Sequence, residues 1–168
     1  MQRVLLISLL LVVTPRIKAQ NLSYKGFGDS ISRAIDASGH WLILKETDTL
    51  ACYDCPFDFV IEDTGYFIDT VSRSFVKVIE RLHYFGCQID STQTETFYFS
   101  GPYLVKVNRV TSIGNGPTVR EDIFFVKADR IAWENRGRRL PSVIESEKLM
   151  WLADYYYHKI AIRLIGSL

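Results

Sequence analysis

The sequence predicts an α+β fold, an antiparallel β-meander sheet with a C-terminal amphipathic helix and a short N-terminal helix, and three observations carry that expectation. From Thr94 to Asn135 one hairpin is written twice. Phe97-Tyr98-Phe99-Ser100-Gly101-Pro102-Tyr103-Leu104-Val105 aligns at a constant offset with Phe124-Phe125-Val126-Lys127-Ala128-Asp129-Arg130-Ile131-Ala132. In both copies an aromatic run meets a short turn and returns as a second apolar run, and such residues suit a pleated, half-buried surface. Near the end of the chain Leu149, Ala153, Tyr156, Ile160 and Leu164 recur at spacings of three or four, one apolar stripe long enough to cover a face of a sheet. Ahead of the hairpins, Ile31, Ala34 and Ile35 share one side of a shorter helical segment.

The N-terminus has to be set apart before the elements are taken in order. Arg3 supplies a positive n-region, Val4 to Val13 an apolar h-region, and Ile17-Lys18-Ala19 a small residue at a cleavage point. Residues 1–20 are therefore expected to be a signal peptide and residues 21–168 a single α+β domain. The apolar run is too short to span a bilayer, so no transmembrane segment is expected in the mature chain. No cysteine follows the h-region, which argues against a lipid anchor. The expected location is outside the cytoplasm, periplasmic or extracellular, and Asn21-Leu22-Ser23 would be a glycosylation sequon in a source that glycosylates exported chains.

Composition limits the partners. Of the 168 residues 48% are hydrophobic and 23% charged, which suits a packed core and is too apolar for disorder. Losing residues 1–20 removes Arg3, Arg16 and Lys18 and no acidic residue, taking the formal charge from +1 to −2. Capture of nucleic acid or of an anionic membrane needs a strong basic excess, so neither is an expected partner.

The first element of the mature chain is the helix over Ser30 to Ala37, with Asp29 or Ser30 as its cap and Gly39 at its end. Trp41-Leu42-Ile43-Leu44 is a short apolar run whose period does not separate helix from strand. Cys52 to Asp63 is mixed, and Pro56 discourages a helix through Cys55. Gly65 to Thr70 reads as a strand. Ser74 to Phe85 fits both periods, with Phe75, Val78, Ile79 and Leu82 on a helical face and Val76, Val78, Leu82 and Tyr84 on a strand face. A strand is preferred there, because no cap flanks it, Val76, Val78 and Ile79 are β-branched, and a meander follows. Ile113-Gly114-Asn115-Gly116-Pro117 is the loop between the two hairpins. Pro141 closes the strand region, Ser142 caps the last helix, and Glu145 completes a capping box.

The hairpins, Phe97-Tyr98-Phe99 returning through Leu104-Val105-Lys106-Val107 and Phe124-Phe125 returning through Ile131-Ala132-Trp133, resemble those of small exported bacterial proteins without an assigned function. Some of those proteins also carry segments like Val76-Lys77-Val78-Ile79-Glu80 and Tyr84-Phe85-Gly86 ahead of the first hairpin. The resemblance covers roughly residues 65–140 and implies an antiparallel sheet. It carries over no functional residue. The glycine usual in the second hairpin's turn is replaced by Ala128-Asp129.

Few residues cluster in a pattern that implies chemistry. Cys52, Cys55 and Cys87 are candidate disulfide partners, since an exported domain is oxidised, and Cys52–Cys55 and Cys55–Cys87 are the leading pairings. The same three thiols with His83 can also be read as zinc ligands, although the His-x3-Cys half departs from the usual close pairs. A redox role for Cys-Tyr-Asp-Cys would need a thioredoxin-like frame, and none is visible. Glu147, Asp154 and His158 lie on one arc of the last helix, where a solvated face is the simpler reading than a catalytic pair. Arg136, Arg138 and Arg139 fit a soluble turn better than an anion grip. Asp54, Asp58, Glu62 and Asp63 lack the spacing of a calcium loop. No nucleophile elbow, phosphate loop or His-Glu-x-x-His is present, and no cofactor is expected.

These readings converge on an exported, non-catalytic binding or assembly module with a protein partner or a second copy of itself. The alternative is a small enzyme with a cleft between sheet and helix, using His40, His83 or His158 as acid or base. The candidate interaction surface is a second stripe on the last helix, Ile144, Trp151, Tyr155 and Ile162, more than about 100° of rotation away from the first. Either the segment around Ile31 and Ile35 covers that stripe or another chain does. Internal cover is the simpler expectation.

Overall fold

The structure, a computed structural model, describes residues 25–51, 59–86, 90–126, 129–135 and 143–165. Helix α1 spans residues 25–38. It is followed by the strands β1 (Trp41–Ala51), β2 (Phe59–Asp69), β3 (Ser74–Phe85), β4 (Ser91–Ser100), β5 (Tyr103–Ile113), β6 (Val119–Val126) and β7 (Asp129–Asn135) and by helix α2 (Val143–Ile165). The strands form one seven-stranded antiparallel sheet in chain order, so every neighbour in space is a neighbour in sequence. The expected α+β meander with a helix at each end is what the chain adopts.

Alternation along the strands divides the sheet into two faces. On the first, Leu44, Tyr66, Val78, Phe97, Val107 and Ile123 fall in one register row across six strands. Val78, Phe97, Val107 and Ile123 are fully buried there. Leu149, Ala153, Tyr156 and Ile160 of α2 pack on this row, the stripe that the sequence predicts. Tyr156 meets Tyr66 and Phe97 edge-on, as ring quadrupoles favour.

The other face carries α1, with Ile35 against Tyr98 and Val105 and with Ile31, Trp41 and Val76 around them. Charge fixes the position of α1. Lys77 on β3 reaches Asp36 at 2.8 Å, and Lys106 on β5 reaches Asp29 at 2.9 Å. The two aspartates are seven residues apart, a rise of about 10.5 Å. The two lysines share a register row two strands apart, about 9.5 Å. The match sets α1 across the strands. Gly28 permits the approach, because a Cβ there would stand 2.9 Å from the Phe124 ring and 3.3 Å from the Val105 carbonyl.

Several expectations change. Asp29 is not the cap of α1: the helix begins by residue 25, and the Asp29 carboxylate serves Lys106. Gly39, at φ 66°, ends α1 in the left-handed conformation that a helix terminus favours. Trp41–Leu44 is strand, and β2 starts at Phe59 inside the stretch that reads as mixed. The repeated hairpin is present, but one residue out of the alignment read from the sequence, with Tyr98 equivalent to Phe124 and Leu104 to Arg130, and a third copy precedes the two. In each of β2–β3, β4–β5 and β6–β7 the register slips by one residue on the returning strand, leaving Val76, Val105 and Ile131 as the extra residues. Each such bulge bends its strand and increases the local twist. The sequences Phe75-Val76-Lys77-Val78 and Leu104-Val105-Lys106-Val107 are thus equivalent, and Lys77 and Lys106 are the matching cations that α1 engages.

Candidate functional site

Three places on the fold collect side chains that can do chemistry or bind. The first is the outer face of α2. Trp151, Tyr155 and Ile162 are 66%, 46% and 71% exposed, and the Trp151 and Tyr155 rings stack at 5.9 Å with an interplanar angle of 10°. Asp154, His158 and Lys159 border them around an open groove of about 430 Å³. The expectation that Ile31 and Ile35 cover this stripe is wrong. Those residues belong to α1, and the sheet lies between α1 and α2. The lysine–aspartate match that holds α1 on its own face is the physical reason. Ile144 lies in α2, but its side chain is outside the described ones.

The second place is the register row next to the apolar one, beneath α2. Glu46, Thr64, Glu80, Glu95, Arg109 and Glu121 follow one another across β1 to β6. Arg109 bonds Glu95 at 2.6 Å and Glu121 at 3.3 Å, and Gln93 donates to Glu95 at 3.1 Å. Glu80 instead accepts the hydroxyl proton of Tyr156. Burial pushes the Glu80 carboxyl up to about 7, Tyr156 opposes that, and the neighbouring carboxylates Glu95 and Glu62 add to it. Tyr156 itself is driven far above the ordinary phenol range by burial and by the same carboxylate. At the β1 end Lys159 bonds Glu46 at 2.5 Å, Arg163 pairs with Glu46, and Tyr66 donates to it at 3.0 Å. Burial alone would raise Glu46, but these partners hold it below the ordinary carboxylate range. Glu80 and Glu95, 6% and 3% exposed, are shut off from solvent, and through Glu80 and Glu46 the row latches α2 to the sheet.

The third place is on the face that carries α1, where β1 to β3 run on beyond that helix. An open groove of about 380 Å³ lies there, with Ile43, Phe67 and Ile79 as its apolar surface. Gly65 sits between Lys45 and Ile79 in the register, so the groove has no side chain at its centre. Lys45 and Arg81 stand at its rim, both exposed. Neither pairs with another described residue. Asp63, the acidic residue of the groove, accepts the Thr47 hydroxyl at 2.7 Å.

The remaining candidates separate. His40 precedes β1, His83 is on β3, and His158 is on the outer face of α2, so no two of the histidines meet. Asp154 and His158 form an exposed i,i+4 pair at 3.4 Å, the solvated arrangement expected for that arc. Glu147 is exposed beside it. Cys52, Cys55 and Cys87, Asp54 and Asp58, the Arg136–Arg139 cluster and residues 1–20 lie outside the described residues. Sequence reading misses both the carboxylate row and the groove. The signal that could have found the row is a polar position at the same place in successive strands, Glu80, Glu95 and Arg109, two residues from Val78, Phe97 and Val107.

No protein-family model, curated protein or solved structure matches the chain. Among the described residues no helix is long and apolar enough to cross a membrane, and no three metal-ligating side chains converge.

Proposed function

We infer that this chain is an exported, non-catalytic binding or assembly module that meets another protein, or a second copy of itself, through the outer face of α2. One observation carries the reading: Trp151, Tyr155 and Ile162 form a contiguous exposed apolar stripe on a helix whose opposite side already fills the core. A helix on the outside of a sheet is ordinarily polar there. Contiguous aromatic and aliphatic surface marks interaction sites, and Trp and Tyr are frequent anchors of interfaces. Export is supported by the order of charge and hydropathy in residues 1–20.

Sedimentation of the mature protein tests the interface. The wild type is expected to associate as its concentration rises, or to form a defined complex with an envelope or extracellular protein, and Trp151→Asp with Ile162→Asp is expected to abolish this. A wild type that stays monomeric and forms no complex refutes the interface. N-terminal sequencing of the exported protein tests the location, with a start at Gln20 or Asn21 expected and a start at Met1 overturning it.

A further inference from the structure

We propose that the groove on β1 to β3 is a binding site for a small amphipathic anion, an apolar chain or ring system ending in one carboxylate or sulfonate. The cations on that face of the sheet differ in what neutralises them. Lys77 and Lys106 are each neutralised by an aspartate of α1, and Lys106 also reaches Asp122 at 3.1 Å. Lys45 and Arg81 lie past the reach of α1 and have no such partner among the described residues. Lys45 on β1 is the register partner of Gly65, and Arg81 on β3 is the partner of Asp63, two residues on, so the two cations stand diagonally across Gly65. The same sheet face therefore holds, beside one gap, two cations that form no ion pair among the described residues.

The gap is built from apolar surface. Ile43 is 42% exposed although it lies on a sheet face, and Phe67 and Ile79 continue its surface. Phe67 is held from behind by the Lys77 ammonium, 4.6 Å from its ring centroid, and by an edge contact with Trp41 at 6.3 Å. That end of the groove is thus rigid and apolar, Lys45 stands in its middle row beside Gly65, and Arg81 stands with Asp63 in the row beyond. From the row of Ile43 to the row of Thr47 the groove runs roughly 13–14 Å along the strands. An elongated molecule with an apolar body against Phe67 and Ile43 and its anionic group between Lys45 and Arg81 meets both ends. Asp63 is the opposing charge, and Thr47 holds its carboxylate toward β1. The net charge at the rim remains positive, so a cation of the same shape is rejected. A side chain at position 65 would fill the groove, since even its Cβ would stand 3.4 Å from Phe67.

Calorimetric titration of the purified protein with decanoate, decanol and decyltrimethylammonium provides the test. Decanoate is expected to bind, and the neutral and cationic analogues to bind more weakly by about tenfold or more, the worth of one charge-assisted contact. Lys45→Glu and Arg81→Glu alter exposed residues and leave the fold intact by circular dichroism, and each is expected to weaken decanoate by about tenfold. Gly65→Leu is expected to abolish binding. Absence of decanoate binding, equal binding of decyltrimethylammonium, or charge-reversed variants that bind decanoate as the wild type does would each overturn the proposal. The last result would place the ligand elsewhere, the α2 stripe included.

Discussion

The two faces of the sheet are closed by helices in opposite ways. Under α2 the register row Tyr66, Val78, Phe97, Val107 and Ile123 is apolar from strand to strand, and the helix adheres by burial. Under α1 the corresponding row, Phe67, Lys77, Tyr98, Lys106 and Phe124, alternates aromatic and cationic residues. There the helix supplies Asp36 and Asp29 at matched spacing. Burial is strong and tolerant of small shifts, whereas the ion pairs are weaker but fix one position. The contrast leaves surface uncovered in two places. On the α2 side it is the back of the helix, and on the α1 side it is the stretch of sheet that runs past the helix with its cations unmatched.

The largest expected effect is on the buried face. Phe97→Ala removes a fully buried ring that also packs edge-on to Tyr156, and it should cost about 3–5 kcal/mol in denaturant unfolding. Tyr98→Phe, one residue along and on the other face, removes only the hydroxyl that donates to Asp36 at 3.0 Å and should cost about 1 kcal/mol. Equal losses would erase the distinction between the faces.

The next effect depends on pH. The Glu80 carboxyl is raised in the folded protein to about 7 from an ordinary 4.5, so the native state holds that proton more tightly than the unfolded chain does. Its contribution is complete below about pH 4.5 and is lost as pH rises through 7. The loss amounts to about 3 kcal/mol by linkage at 1.36 kcal/mol per pH unit. Glu80→Gln should flatten this slope, leaving stability near pH 5 little changed and raising it at pH 8 to 9 above the wild type. Urea unfolding midpoints across that range measure the slope. A wild type with no loss of stability between pH 5 and 8 would mean that Glu80 is ionised throughout.

On the α1 side the response should be to partner loss and salt. Asp36→Ala leaves Lys77, 8% exposed, without its carboxylate and should cost about 1–3 kcal/mol. Hydrogen exchange should place the loosening in α1 and leave α2 protected. Raising the salt concentration should loosen α1 in the same selective way, because Asp36 is half exposed and its ion pair is screened. Uniform loosening of both helices would show that α1 is also held chiefly by burial.

The same contrast decides how much the sequence discloses. Hydrophobic period exposes burial, and so the α2 stripe, the hairpins and even the ambiguous Ser74–Phe85 are legible as elements. The position of α1 is not legible in this way. Asp29 and Asp36 pair with Lys106 and Lys77 across 77 and 41 residues of chain, and nothing local in Lys77 or Lys106 signals a partner at that distance. The same holds for the groove, whose cations come from two strands with a glycine on the strand between them. The third hairpin repeat is hidden for another reason. The turn Asp69 to Ser74 is longer and polar, with the Asp69 carboxylate accepting from the amides of Val71 and Ser72, so the repeat does not align at a constant offset.

The smallest expected effect on stability is also the most informative about the α2 stripe. Trp151 is large, and buried it would be worth as much as Phe97, yet its ring is two-thirds exposed and meets Tyr155 four residues on. An exposed i,i+4 pair on a helix contributes about 0.2–0.5 kcal/mol. Trp151→Ala should therefore shift unfolding of the dilute monomer by no more than about 0.5 kcal/mol, which fluorescence of the remaining tryptophans or circular dichroism can follow. If the stripe pairs with another chain, the effect must grow with the concentration of that chain, because a partner that binds only the native state stabilises it by mass action. A midpoint difference between wild type and variant that is near zero when dilute and widens on concentration, or on addition of the partner, is the signature of an interface. A loss of about 3 kcal/mol or more that is independent of concentration would mean that residues of the same chain cover Trp151, and the stripe would then belong to the core.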